Sequence, residues 1–268
     1  MIAVMRSPRP AHPAGSTPPD RPQWPARVCA VSAVLSAVLL ALVATAWPPL
    51  LSFDESVARE LHRWAVRQPT AVHVNRVLTD WVWDPWTMRA LITAVCVWLA
   101  LRREWLLALC VALSTLLGTL FQQGVKAAVD RQRPRWPDPV DSAHYAAFPS
   151  GHAMTATVVC GLLLWVAALH RVSARWMRAA AVLAAVSVIG VGLTRLYLGV
   201  HWPTDVLAGW LMGICWVLLT VLVYERVARR RPGRGAGAVV ARTGRSPASP
   251  GPGSTAADEP EGPAGGTR

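Results

Sequence analysis

Three groups of charged and hydroxyl-bearing residues stand beside long apolar runs, where ionised groups are costly and usually carry function. The first is Lys126, six intervening residues, then Arg133-Pro134. The second is Pro149-Ser150-Gly151-His152, directly before another apolar run. The third is Thr194-Arg195, five residues, His201, three residues, Asp205. Pro149, Ser150 and Gly151 are turn residues that feed a helix, so free backbone N–H groups and a hydroxyl point out of one helix N-terminus and make an anion site. Lys126, Arg133 and Arg195 bring positive charge to it, enough to neutralise a phosphate and the charge that develops on its oxygens during transfer. A planar guanidinium suits two phosphate oxygens, whereas an ammonium is a compact point charge. Lys126 is the only lysine in a chain whose other basic side chains, histidine apart, are arginine.

His201 precedes Trp202-Pro203, and proline is favoured in the first turn of a helix. Asp205 then falls one turn along the same face. A carboxylate bonded to one imidazole nitrogen fixes the tautomer and leaves the other nitrogen free to attack phosphorus. His152, at the mouth of the anion site, is free to protonate a leaving oxygen, an effect of about 10² to 10⁴ in rate. Taken singly, each element has a plainer explanation: an interfacial histidine, a snorkelling arginine, a serine cap. His144, Tyr145, Arg131 and Arg135 are read as loop residues. A metal centre built from His144, His152, His201 and Asp205 is disfavoured because the adjacent Lys and Arg side chains repel a divalent cation.

The elements that must position these groups come from the hydropathy pattern. The chain has 268 residues, 53% hydrophobic and 16% charged, with a mean hydropathy of +0.33. Its apolar residues lie in long blocks, which excludes a disordered chain and points to an all-α polytopic membrane protein. Six spans are expected: Val28 to Trp47, Trp86 to Leu101, Trp105 to Gly124, Ala153 to His170, Met177 to Thr194 and Val206 to Tyr224. The domain plan is a tail over 1–27, a membrane domain over 28–228 and a second tail over 229–268, both tails Pro- or Gly-rich and expected to be disordered. Ala44 and Ala46 form a small-x-small site, but the first apolar run exceeds the core of about 7 to 15 residues usual in a signal peptide, so it is read as an uncleaved anchor.

A net charge of +12 would suit a nucleic-acid binder, yet much of the surplus lies in the tails and short turns. No nucleic-acid partner is therefore expected, and the arginines are read as orienting the chain in a bilayer. With both termini cytoplasmic, the inner face carries Arg27, Arg102, Arg103, Arg171, Arg175, Arg178, Arg226 and the Arg229 to Arg231 run. All three chemistry-bearing groups then face the extracytoplasmic side. Between the first two spans, Val57, Leu61, Trp64 and Ala65 recur at helical spacing, consistent with an amphipathic helix on the membrane surface or an ordinary loop helix. The five cysteines sit inside apolar blocks without metal-ligand spacing and read as buried small hydrophobes.

The ordered set of Lys126 with Arg133-Pro134, Pro149-Ser150-Gly151-His152, and Arg195 with His201 and Asp205 resembles the three-part signature of the type-2 phosphatidic acid phosphatase superfamily. That group includes lipid phosphate phosphatases, undecaprenyl-diphosphate phosphatases and the vanadium haloperoxidases. The likeness covers about Trp86 to Tyr224 and departs at Thr194, where the family pattern usually has serine. It implies a helical-bundle phosphatase whose His201 forms a phosphohistidine, oriented by Asp205. His152 is implied as acid for the leaving group and then as base for water. Lys126, Arg133, Ser150, Gly151 and Arg195 are implied to bind the phosphoryl oxygens, with no metal and no cofactor. The expected activity is metal-independent hydrolysis, at the outer face of the cell membrane, of a lipid phosphate or isoprenyl diphosphate such as undecaprenyl diphosphate. Two alternatives stay open at this point: a lipid phosphotransferase, and a protein that binds or transports lipid phosphate without turnover. An arginine-rich, lysine-poor composition fits a GC-rich bacterial genome.

Overall fold

The computed structural model describes residues 23–230. Among these, the regular structure is helical throughout: α1 Trp24–Ala44, α2 Pro48–Val66, α3 Pro69–Val77, a π-helical turn Leu78–Val82, α4 Pro85–Leu101, α5 Trp105–Val129, α6 Gly151–Leu169, α7 Ala174–Tyr197 and α8 Pro203–Arg230. Five of these, α1, α5, α6, α7 and α8, are long and apolar enough to cross a membrane. They contain most of the first, third, fourth, fifth and sixth expected spans. The second expected span lies in α4, which has only 17 residues and so reaches about 25 Å. Its start is fixed by Asp84, whose carboxylate accepts from the Trp86 and Thr87 N–H groups, with Pro85 in the first turn. Its end is fixed at Arg102 and at Arg103, which takes a left-handed φ of 60°. The chain is an all-α polytopic membrane protein, with five qualifying spans among the described residues and the shorter α4 at the place of the sixth.

The expected tails lie almost wholly outside the described residues. At their inner edges the helices run further than anticipated. α1 begins at Trp24, with proline in its first turn, and α8 continues to Arg230, its last turn carrying Arg229 and Arg230 where the helix dipole favours cations.

The core lies among α4, α5, α6 and α8, where Ile92, Leu99, Val111, Val159 and Leu162 are essentially inaccessible. α6 packs on α7, and α4 packs on both α5 and α6. On α7 the large residues Val182, Leu183, Val186, Ile189 and Leu193 are exposed instead, an outward apolar stripe suited to hydrocarbon. Within the spans α5 and α8 are joined by polar contacts. Ser114 Oγ and Thr220 Oγ1 are 2.7 Å apart, and the Trp216 indole N–H donates to the Ser114 carbonyl at 3.0 Å. Such bonds join helices in a medium that offers no other partner.

α2 forms over the stretch where an amphipathic helix or an ordinary loop helix was expected. Its buried positions are Asp54, Ala58, His62 and Ala65, a small and polar face that packs toward α7. Trp64 remains 59% exposed, and of the four anticipated apolar positions only Ala65 is fully covered. The face is selected by what α7 and the loops offer: a fully buried carboxylate needs cations and N–H donors, and Asp54 finds both.

Candidate active site

The site forms where α5 ends, α6 begins, α7 ends and α8 begins. α5 terminates at Asp130 in a left-handed conformation, φ 44°, which turns the chain into the loop that runs from Arg131 to Pro149. Loop and helix starts are then stapled by backbone bonds: Ala147 N–H to the Arg131 carbonyl at 2.8 Å, and Ser150 N–H to the Asp205 carbonyl at 2.9 Å. Between α7 and α8 the chain reverses through Gly199 at φ +66°, with the Trp136 indole so near that a Cβ would meet it at 2.6 Å. Only glycine takes that conformation without strain. The Trp136 N–H donates to the Gly199 carbonyl at 2.9 Å.

These turns bring the three sequence groups to one cavity of about 350 Å³, whose lining includes Lys126, Arg133, Gly151, His152, Arg195 and His201. Lys126 Nζ donates to the Ala146 carbonyl at 2.5 Å. Arg133 donates through Nε to the Tyr145 carbonyl at 2.5 Å and through NH1 to the Val200 carbonyl at 2.6 Å. Burial, and then the neighbouring Arg195, pull the Arg133 guanidinium down to about 10, so it stays charged at neutral pH. Arg195, 5% exposed, donates to Thr79 Oγ1 at 3.3 Å and lies 3.8 Å from the Asp141 carboxylate. Nearby, burial and then Asp141 push the Asp80 carboxyl up, while Arg195 opposes the shift.

His201 has unlike partners on its two ring nitrogens. Nδ1 stands 3.3 Å from Asp205 Oδ2, and Nε2 stands 3.2 Å from Arg133 NH1. Since a guanidinium only donates, Nε2 is the acceptor and Nδ1 carries the proton toward the carboxylate. Burial, then Arg133, Arg195 and Lys126, hold the imidazole well below its usual range, so it is neutral at physiological pH with an Nε2 lone pair toward the cavity. Asp205 Oδ2 also accepts from the Trp202 N–H at 2.9 Å, which fixes the carboxylate at the start of α8.

Ser150 is the N-terminal cap position of α6 and is fully buried. Its Oγ, the Gln122 Nε2 and the Arg195 Nε are buried without a protein partner. α8 comes close behind α6 at Gly209, where a Cβ would lie 2.9 Å from the Ser150 carbonyl and 3.1 Å from the Met154 nitrogen. Thr194, at the family departure, is bonded to its own helix through the Val191 carbonyl at 2.8 Å and does not line the cavity. His144 and Tyr145 do line it.

Sequence reasoning missed four participants. Arg131, read as a loop residue, is 10% exposed and bonds Asp205 Oδ1 at 2.7 Å. Asp54 and Thr204 bond the same guanidinium, and Thr79 holds Arg195. Arg131 was detectable as a cation placed between Lys126 and Arg133. Nothing local marked Asp54, whose partner is 77 residues away. Among the described residues no three His, Cys, Asp or Glu side chains gather as metal ligands.

Residues 103–229 match the PAP2 superfamily. Phosphatidylglycerophosphatase B of Bacillus subtilis is 31% identical over 113 residues, which are 42% of this chain and 55% of that protein. An undecaprenyl-diphosphatase of Sulfolobus acidocaldarius is 38% identical over 77 residues, 29% of this chain and 31% of that protein. The chain thus spans about half the length of the first curated relative and about a third of the second. The crystal structure of a transmembrane PAP2-type phosphatidylglycerolphosphate phosphatase from Bacillus subtilis superposes with a TM-score of 0.65 at 25% identity, covering 78% of this chain and all of that one. The three residue groups that meet at the cavity all lie inside the segment that matches the PAP2 superfamily.

Proposed function

We propose that the protein is an integral membrane phosphatase that hydrolyses a lipid phosphate monoester or isoprenyl diphosphate through a phosphohistidine on His201. The observation that carries the reading is the division of labour on that ring, with Nδ1 toward Asp205 and Nε2 toward the cationic cavity. In the first step Nε2 bonds phosphorus and the bond from phosphorus to the leaving oxygen breaks. His152, on the same cavity wall, donates the proton that the leaving oxygen needs. In the second step His152 takes a proton from water, water oxygen bonds phosphorus, and the P–N bond breaks to release phosphate.

Lys126, Arg133 and Arg195, with Ser150 Oγ and the Gly151 N–H at the start of α6, hold the phosphoryl oxygens. They stabilise charge that grows in the transition state, and no step in this scheme calls on a metal. The neutral state of His201 suits a nucleophile, since a protonated imidazole has no free lone pair.

The arginine distribution supports an extracytoplasmic site. Arg102, Arg103 and Arg171 lie in turns, and Arg175 and Arg178 at the start of α7, at the ends of the spans opposite the cavity, and α8 runs from the site end to the Arg-rich end. A 28–228 membrane domain with both termini cytoplasmic follows. The relatives' named activities make phosphatidylglycerol phosphate and undecaprenyl diphosphate the first substrates to try, with phosphatidic acid beside them. Phosphate release from these three lipids is to be measured with the detergent-purified protein in EDTA, wild type beside His201→Ala. Release by the wild type that the variant loses by at least about 10³-fold is expected for a nucleophile. Equal rates in both proteins, or release only after metal is added, would overturn the proposal.

A further inference from the structure

One buried charge cluster meets the scheme above only through Asp205. Arg131 NH2 donates to Asp54 Oδ2 at 2.7 Å, and its NH1 donates to Asp205 Oδ1 and to Thr204 Oγ1, both at 2.7 Å. Thr204 closes the ring, its N–H donating to Asp54 Oδ1 at 3.0 Å and its hydroxyl to Asp54 Oδ2. The side chains of Asp54 and Asp205 are 1% and 0% exposed. Asp54 comes from α2, outside the segment that matches the superfamily.

We infer that Arg131 and Asp54 are positioning residues for the reacting histidine: the guanidinium, shared between two carboxylates, holds Asp205 against His201 Nδ1. The inference rests on the proposal that His201 is the nucleophile. With Oδ1 taken by Arg131 and Oδ2 by the Trp202 N–H, the Asp205 carboxylate cannot rotate without breaking both bonds, and its second oxygen stays beside the imidazole. Asp54 has a separate effect. Two carboxylates share one guanidinium, so the trio keeps a net negative charge where the imidazole becomes positive as Nε2 bonds phosphorus. Without Asp54 the guanidinium would pair with Asp205 alone and weaken it as an acceptor for the Nδ1 proton. Asp54 also receives the N–H of Thr204 in the first turn of α8, where a helix end favours negative charge. The segment before the matched domain therefore supplies part of the site's support as well as a membrane anchor.

A lysine cannot bridge two carboxylates through a fork, which separates this role from simple charge balance. The test measures kcat and KM with EDTA for phosphatidic acid, phosphatidylglycerol phosphate and undecaprenyl diphosphate, per mole of folded full-length protein. The variants are Asp54→Asn, Arg131→Lys, Arg131→Ala and His201→Ala. Loss of an outer partner is expected to cost about 10- to 100-fold in kcat with little change in KM, Arg131→Lys falling further than Asp54→Asn. Millimolar guanidinium is expected to restore part of the Arg131→Ala rate and none of the His201→Ala rate. Asp54→Asn is isosteric, so it keeps the test open if Arg131→Ala fails to fold. Wild-type kcat in folded Asp54→Asn and Arg131→Lys, with only a lowered melting midpoint, would overturn the inference and leave the His201 reading standing. A wild-type rate in His201→Ala would overturn both.

Discussion

The two ends of the α5–α8 pairing are built by different rules. At the cavity end, Lys126 and Arg133 are held by loop carbonyls, Arg195 by the Thr79 hydroxyl, His201 by the Asp205 carboxylate and Asp205 in turn by Arg131, and all but the His201–Asp205 pair join residues far apart in sequence. Toward the other end, α5 and α8 meet through the Ser114–Thr220 pair and one indole, beside an apolar groove lined by residues such as Leu109, Leu113, Leu219 and Val223. One region fixes atoms, and the other fills space. Substitutions at the first should move rate more than fold, and substitutions at the second should move fold more than rate.

Arg195→Lys gives the largest effect on rate that sharpens this contrast. The ammonium loses the fork that reaches Thr79 and, in the proposed scheme, the phosphoryl oxygens as well, and a fall of about 10²-fold in kcat is expected. Thermal unfolding in detergent should change little by comparison. A substitution at the seam between the two regimes comes next. Gly209→Ala places a Cβ against the Ser150 carbonyl, and overpacking of this kind costs about 1 to 3 kcal/mol. Because that carbonyl accepts the Met154 N–H in the first turn of α6, beside the cavity, rate and melting midpoint should fall together; a loss of either alone would break the contrast.

Proton linkage follows in size. His201 is held well below its usual range by burial and the three cations, whereas in the unfolded chain it titrates near pH 6.5. Below that pH the unfolded state binds the proton and the folded state does not, so stability is full above about pH 6.5 and is lost as pH falls below it, by up to about 1.4 kcal/mol per pH unit. Melting curves at pH 7.5 and 5.5 should show the loss, and His201→Gln should flatten it. His62 is lowered by burial too and contributes to the slope that remains in that variant. The smallest effect belongs to the apolar end: Ser114→Ala should cost about 1 kcal/mol of stability and leave kcat within about twofold, since the residue is remote from the reacting atoms.

Much of the architecture could be read from the chain because bilayer thickness dictates the length of an apolar run. Trp105 to Gly124 and Val206 to Tyr224 were visible for that reason. Trp86 to Leu101 has similar composition, but Asp84-Pro85 and Arg102-Arg103 clip it to 17 residues. The inner ring of the site was legible because Lys126, Arg133, His152, Arg195 and His201 sit where ionised groups are costly. The support behind it was not. Asp54 looked like the polar side of a surface helix, and its role depends on a bond to Arg131 that no periodicity encodes. Thr194 shows the converse, a hydroxyl that the motif pattern marks and the fold turns toward its own backbone.

The central claim is that phosphorus passes through His201. The most direct test is a rapid-quench reaction of the detergent-purified protein with a ³²P-labelled lipid phosphate, the chain being digested under alkaline conditions that preserve phosphohistidine. Label on the peptide that holds residue 201, acid-labile and absent from His201→Ala, is the result expected. Turnover by the wild type with no protein-bound label at any quench time, or label that persists in His201→Ala, would contradict the account.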